Sequence, residues 1–215
     1  MMRGRLRFLL ALLPVAGAFG QRYEIGPAGG YTRFAKTPLG SVVEGDNAGE
    51  NSRLKGKQSY GARLTWNTKG YYGHEITYMR GMAEFSSQVP GETSGRLQRN
   101  SNVTTHEASY NALAYFMPAG ERWRPFLTGG IEMIRLGKPR IPEWTSTKFR
   151  TYGGNYGGGI KLMPFKRAIV RLDVRQHITG KPYNLHFAVE DPTRGLKQGG
   201  FYKRLDASIG ISIGF

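Results

Sequence analysis

The sequence predicts an all-β fold: an eight-stranded antiparallel up-and-down transmembrane β-barrel with short turns at one end and long loops at the other. Three observations predict it. Apolar and polar residues alternate with period 2 along most of the chain. The connections between the alternating segments are short and long in strict turn. The chain opens with an export signal.

Arg3, Arg5 and Arg7 form a basic region without an acid beside it, Phe8 to Val15 is apolar, and Ala16, Gly17, Ala18 and Gly20 are small. That order reads as a secretory signal peptide over residues 1–20, with the mature chain starting at Gln21. The apolar run falls short of the roughly 20 residues that a membrane helix needs. A mean hydropathy of −0.44 argues against a bundle of such helices.

Eight segments read as strands, near residues 22–34, 57–67, 71–83, 105–116, 122–135, 150–163, 167–178 and 203–215. The last is the clearest: Leu205, Ala207, Ile209, Ile211, Ile213 and Phe215 are apolar, with polar or small residues between them. Most segments run 11 to 14 residues, against about 5–6 in soluble sheets and roughly 9–11 for a tilted membrane strand. Asn67–Gly70, Pro118–Glu121 and Pro164–Lys166 read as short turns, and 35–56, 84–104, 136–149 and 179–202 as long polar loops. An even strand count puts both termini at the short-turn end, in the periplasm. Tyr23, Trp66, Tyr72, Phe116, Trp123 and Phe215 fall near that end, and Tyr31, Tyr60, Tyr78, Tyr110 and Tyr152 higher, as two aromatic girdles would.

The mature chain, residues 21–215, resembles the OmpA/OmpX-type small outer-membrane β-barrels. The resemblance rests on the terminal Ile209-Gly210-Ile211-Ser212-Ile213-Gly214-Phe215, on Arg124-Pro125-Phe126-Leu127-Thr128-Gly129-Gly130, on the glycine-rich run Tyr152 to Leu162, and on Val170-Arg171-Leu172-Asp173-Val174-Arg175. It implies an integral outer-membrane location, and recognition of Ile211, Ile213 and Phe215 by the outer-membrane barrel assembly machinery. OmpA itself continues into a periplasmic peptidoglycan-binding domain; this sequence stops at Phe215, so wall anchoring is not among the expectations.

The residues on the inner face are charged: Glu24, Arg63, Glu75, Glu107, Glu132, Lys161, Arg171, Asp173, Arg175 and Asp206. An eight-stranded barrel is just wide enough for side chains to fill it, and buried charges must pair. A salt-bridged lumen network is therefore expected. Symmetry about the turn at Asn67–Gly70 sets Arg63 opposite Glu75. Lys161 and Arg171 mirror each other across the Pro164–Lys166 turn and need Glu24 and Glu75. Arg175 reaches for Glu107, Glu132 or Asp206.

Other chemistry finds little support. There is no Cys, which excludes disulfides, thiolate metal sites, a catalytic thiol and a lipidated N-terminal Cys. His74-Glu75 and His106-Glu107 begin like zincin motifs but lack the second His and lie in strands. The glycines from Gly153 to Gly159 lack the Lys-Ser/Thr of a phosphate loop. His177 or His186 with Ser208 or Ser212 are the only parts of a hydrolase. No catalytic residue, metal or cofactor is expected.

The formal charge is +16 with a pI near 10.2, and losing three of 31 basic residues with the signal leaves +13. Export removes nucleic acid as a partner and leaves envelope partners, above all the phosphates of anionic lipid. Lys36, Arg53, Lys55, Arg96, Arg99, Lys138, Arg140, Lys148, Arg150, Lys181, Arg194 and Lys197 fall in or beside the loops, and Trp144, Tyr183, Phe187, Phe201 and Tyr202 are candidate contact aromatics. The expected function is a non-enzymatic, monomeric barrel with a structural or surface-interaction role. The alternatives are a narrow pore for ions or small solutes and a lipid-modifying enzyme.

Overall fold

The computed structural model of the chain describes residues 22–36, 39–41, 50–56, 58–68, 70–90, 96–141, 144–146, 148–165, 167–183, 185–187 and 200–215. The expected signal peptide lies outside them. The strands are β1 (Tyr23–Phe34), β2 (Gly40–Ser41), β3 (Glu50–Lys55), β4 (Gln58–Thr68), β5 (Tyr72–Pro90), β6 (Arg96–Tyr115), β7 (Trp123–Leu136), β8 (Trp144–Ser146), β9 (Arg150–Leu162), β10 (Ala168–Gly180), β11 (Leu185–Phe187) and β12 (Phe201–Gly214).

Eight of them close a ring in the order β5, β4, β1, β12, β10, β9, β7, β6 and back to β5, antiparallel throughout. Closure leaves the barrel wall no free sheet edge. The last strand seals it against the first: Glu24 pairs with Gly214 and Arg33 with Leu205. Their ends are tied by Tyr23 N–H to the Phe215 carbonyl and Phe215 N–H to the Tyr23 carbonyl, both 2.9 Å, and the two rings stack at 6.1 Å.

The outer face is apolar because the alternation turns Ile25, Leu64, Ile76, Leu127, Ile131, Leu172, Val174, Ile209, Ile211 and Ile213 outward, all exposed. The two aromatic sets lie on that same face, Trp66 being partly covered there by His74 and Tyr110. A belt of this kind suits hydrocarbon.

One of the expected long loops is largely strand, and a second contributes two strands. β5 and β6 form one hairpin paired from Tyr72–Ala114 to Pro90–Arg96, so residues 84–90 and 96–104 are not loop. Over this part the colours of the alternation invert. Below, the inner face is charged and the outer apolar. Above, Ala83, Phe85 and Val103 point inward and the outer face is polar. Within 35–56, β3 pairs with the upper part of β5, Lys55 opposite Glu84, and β2 pairs with β3. The loops at 136–149 and 179–202 contribute β8 and β11, a small ribbon of their own.

The first short turn is centred on Gly70, whose φ of 74° lies in the left-handed region that favours glycine. Asn67 pairs with Gly73 and Arg63 with Thr77. Taking residue 69 as the centre is what set Arg63 opposite Glu75; Thr65 holds that place, and Arg63 lies two residues off.

Candidate functional site

The candidate site is the lumen, which holds its side chains in tiers. At the short-turn end, Arg124 projects from β7 and lies 3.8 Å from the Tyr115 ring centre, its Nη2 donating to the Gly70 carbonyl at 2.6 Å. Tyr115 packs with Leu113 and Phe126 in a small apolar cluster. This plugs the floor.

The next tier is a neutral pair. Lys161 Nζ donates to Glu24 Oε2 at 2.6 Å and to the Tyr115 hydroxyl at 2.7 Å, while Asn67 Nδ2 donates to Glu24 Oε1 at 2.7 Å. All four residues are buried.

Above it sits a cluster of three cations and two anions. Glu75 accepts from Arg171, from Arg175 at 2.7 Å and from the Thr77 hydroxyl at 3.1 Å. Asp173 accepts from Arg63 Nη1 at 2.7 Å, from Arg171 Nε and Arg175 Nε at 3.0 Å each, and from Ser208 at 3.1 Å. Multiple charge-assisted bonds to each carboxylate are what makes such burial tolerable. Glycine lets the strand bearing Asp173 lie close. A Cβ on Gly159 would lie 2.2 Å from the Leu172 carbonyl oxygen and 2.6 Å from Asp173 Cβ.

The upper tier reverses the balance. Arg204 bonds Glu107, and its Nη2 lies 3.4 Å from Glu132 Oε2; its Nε is 3.5 Å from Asp206 Oδ2. His177 stands between Glu132, on Nδ1, and Asp206 Oδ2, 3.3 Å from Nε2. Glu107, Glu132 and His177 offer three ligand atoms within 4.8 Å of one another. A metal ion could be held there, but Arg204 already bridges the same two carboxylates and would compete with it.

The long-loop end is closed by apolar packing. Phe34, Leu39, Leu54, Ala83, Phe85, Val103, Ile134, Leu136, Ile141, Tyr183 and Tyr202 form one buried cluster. The cavity between this cap and the upper tier is about 10 Å³, room for about one water.

The structure thus places Glu24, Arg63, Glu75, Glu107, Glu132, Lys161, Arg171, Asp173, Arg175 and Asp206 in the lumen. Lys161 and Arg171 stand opposite each other, and their carboxylates are Glu24 and Glu75. Two of the expected pairings are different. Arg63 binds Asp173 rather than Glu75, because of the turn centre. Arg175 binds Glu75 and Asp173 rather than the upper acids; Arg204 fills the place beside those. Arg204 and Arg124 share their strands' parity with Asp206 and Glu132, so the alternation marked both. Ser208 bonds Arg63 and Asp173 and not His177, so the hydrolase parts are not brought together there; the His186 side chain lies outside the described residues. Of the contact aromatics, Tyr183 and Tyr202 are buried in the cap, while Phe201 is exposed. The side chains of Trp144 and Phe187 lie outside the described residues.

One consequence concerns charge. Among the described residues, the lumen holds six acids (Glu24, Glu75, Glu107, Glu132, Asp173, Asp206) and six bases (Arg63, Arg124, Lys161, Arg171, Arg175, Arg204). Among the described residues, the lumen therefore contributes nothing to the basic excess of the chain.

No protein-family model matches the chain, and no curated protein does. Solved structures do. The outer membrane protein OprG from Pseudomonas aeruginosa matches with a TM-score of 0.61 at 12% identity, over 91% of this chain and 97% of that one. The outer membrane protein AlkL, solved in lipid bilayers, matches with a TM-score of 0.57 at 14% identity over 94% of each chain. Neisserial surface protein A matches with a TM-score of 0.50 at 10% identity, over 90% of this chain and 97% of that one. The fold is that of the small eight-stranded outer-membrane barrels.

Proposed function

We propose that this chain is an integral, monomeric outer-membrane protein that catalyses nothing and conducts nothing. It acts through its outer surface and long-loop end, as a structural element and a contact for envelope lipid. The observation that carries this reading is the filled lumen: paired charges occupy it tier by tier, and apolar packing seals both ends. A solute path would need continuous space, and the cavity beneath the cap holds about 10 Å³. The apolar outer belt supports the location. The resemblance of Ile211, Ile213 and Phe215 to an assembly signal supports delivery by the barrel assembly machinery, with both termini periplasmic.

The test is solute flux. Vesicles carrying the refolded barrel should swell no faster in small sugars or amino acids than empty vesicles. Swelling that scales with barrel content would replace this reading with a pore.

A further inference from the structure

On the outer face, four neighbouring strands bring basic residues into a single row. Arg80 on β5 pairs with His106 on β6, His106 with Arg135 on β7, and Arg135 with Arg150 on β9. Directly paired residues share a face, and the three arginines are exposed. At about 4.8 Å per strand the row spans roughly 15 Å. Like charges set directly opposite one another destabilise a sheet, so the row calls for an anion. The protein supplies none: among the described residues, none of the three arginines has an acidic partner. Glu84, further along β5, is held by Lys55 at 2.9 Å.

The height of the row says which anion. Below it on the same face the paired residues are Tyr78, Ala108, Met133 and Tyr152, then Ile76, Tyr110, Ile131 and Gly154, an aromatic girdle over an apolar belt. Arg135 stands twelve residues above Trp123 on β7. At about 3.4 Å per residue and a tilt of about 40°, that is roughly 30 Å of membrane thickness. With Trp123 at the inner interface, the arginines reach the headgroups of the outer leaflet. The Tyr78 hydroxyl, 2.7 Å from His106 Nδ1, ties the row to the girdle.

We infer that Arg80, Arg135 and Arg150, with His106 in the row, bind the phosphates of a phosphorylated glycolipid of the outer leaflet. Arginine suits this role because its planar fork takes a phosphate through two bonds. The inference rests on the proposed membrane location and deepens the lipid-contact reading.

The test uses the full barrel refolded in phosphatidylcholine vesicles. These carry bisphosphorylated lipid A, dephosphorylated lipid A, or no glycolipid with inorganic phosphate in the buffer; binding is read from tryptophan fluorescence and from lipid retained on the extracted protein. The wild type should bind bisphosphorylated lipid A and respond to neither of the others. Arg135→Gln should weaken binding about five-fold, and Arg80→Gln, Arg135→Gln and Arg150→Gln together about 100-fold. Arg122→Gln, beside Trp123 at the short-turn end, should stay within about two-fold of wild type. If the triple variant does not insert, the single variant carries the comparison. Binding unchanged in Arg135→Gln, equal binding of dephosphorylated lipid, or equal saturation by inorganic phosphate overturns the inference. A wild type that inserts but does not discriminate defeats this inference alone, whereas failure to insert defeats the membrane reading beneath it.

Discussion

Glu75→Gln is expected to lower the unfolding free energy of the inserted barrel by about 3–5 kcal/mol. The Glu75 side chain is fully buried and is the shared acceptor of Arg171 and Arg175. Without its charge, Arg63, Arg171 and Arg175 face Asp173 alone, so the cluster holds two cations in excess instead of one. Most of the cost comes from charges left behind, so Glu75→Gln combined with Arg175→Met should recover part of the loss. Urea unfolding in lipid vesicles, followed by heat-modifiable gel mobility, measures both. A silent Glu75→Gln would mean that water rather than protein satisfies these arginines.

Ile209→Arg is expected to cost about 2–4 kcal/mol, and Ile213→Arg about 0–1 kcal/mol. Both side chains are more than half exposed on the outer face of β12, at 52% and 61%. They differ in depth: Ile213 neighbours the Tyr23–Phe215 pair at the short-turn end, while Ile209 sits four residues further up the strand. A soluble barrel would tolerate both changes alike. Equal, small costs in the same unfolding measurement would therefore deny that this face meets hydrocarbon.

How much of this was legible in the sequence depends on which contacts settle it. The strands and their faces follow from period 2, which the chain displays most openly from Leu205 to Phe215. The inward charges follow from the same parity, which also marked Arg124 and Arg204. Partners inside the lumen do not follow from it. Arg63 and Asp173 are 110 residues apart in sequence and meet across the barrel, and which carboxylate an arginine reaches depends on register and curvature together. A shift of the turn centre from residue 69 to Gly70 was enough to misplace Arg63. The upper hairpin was missed for another reason. Ser86, Gln98, Asn100 and Asn102 look like loop because the outer face there meets water, while Phe85 and Val103 hold the inner face. The pattern persists with its signs exchanged. The cap formed by Phe34, Phe85, Tyr183 and Tyr202 was hidden by that inversion.

The basic row on the outside was hidden differently. Arg80, Arg135 and Arg150 carry no local motif and come together only through the registers of β5, β6, β7 and β9. The chain's high pI pointed to an anionic partner, and the described lumen charges, evenly divided, do not account for the basic excess.

The central claim is that the lumen is closed, and ion conductance tests it most directly. Purified barrel inserted into planar bilayers, with insertion verified by heat-modifiable mobility of the same preparation, should show no steady conductance above the bare membrane. A steady conductance in the wild type that changes when Glu75 or Arg204 is replaced would place an ion path through the charged tiers and contradict the account.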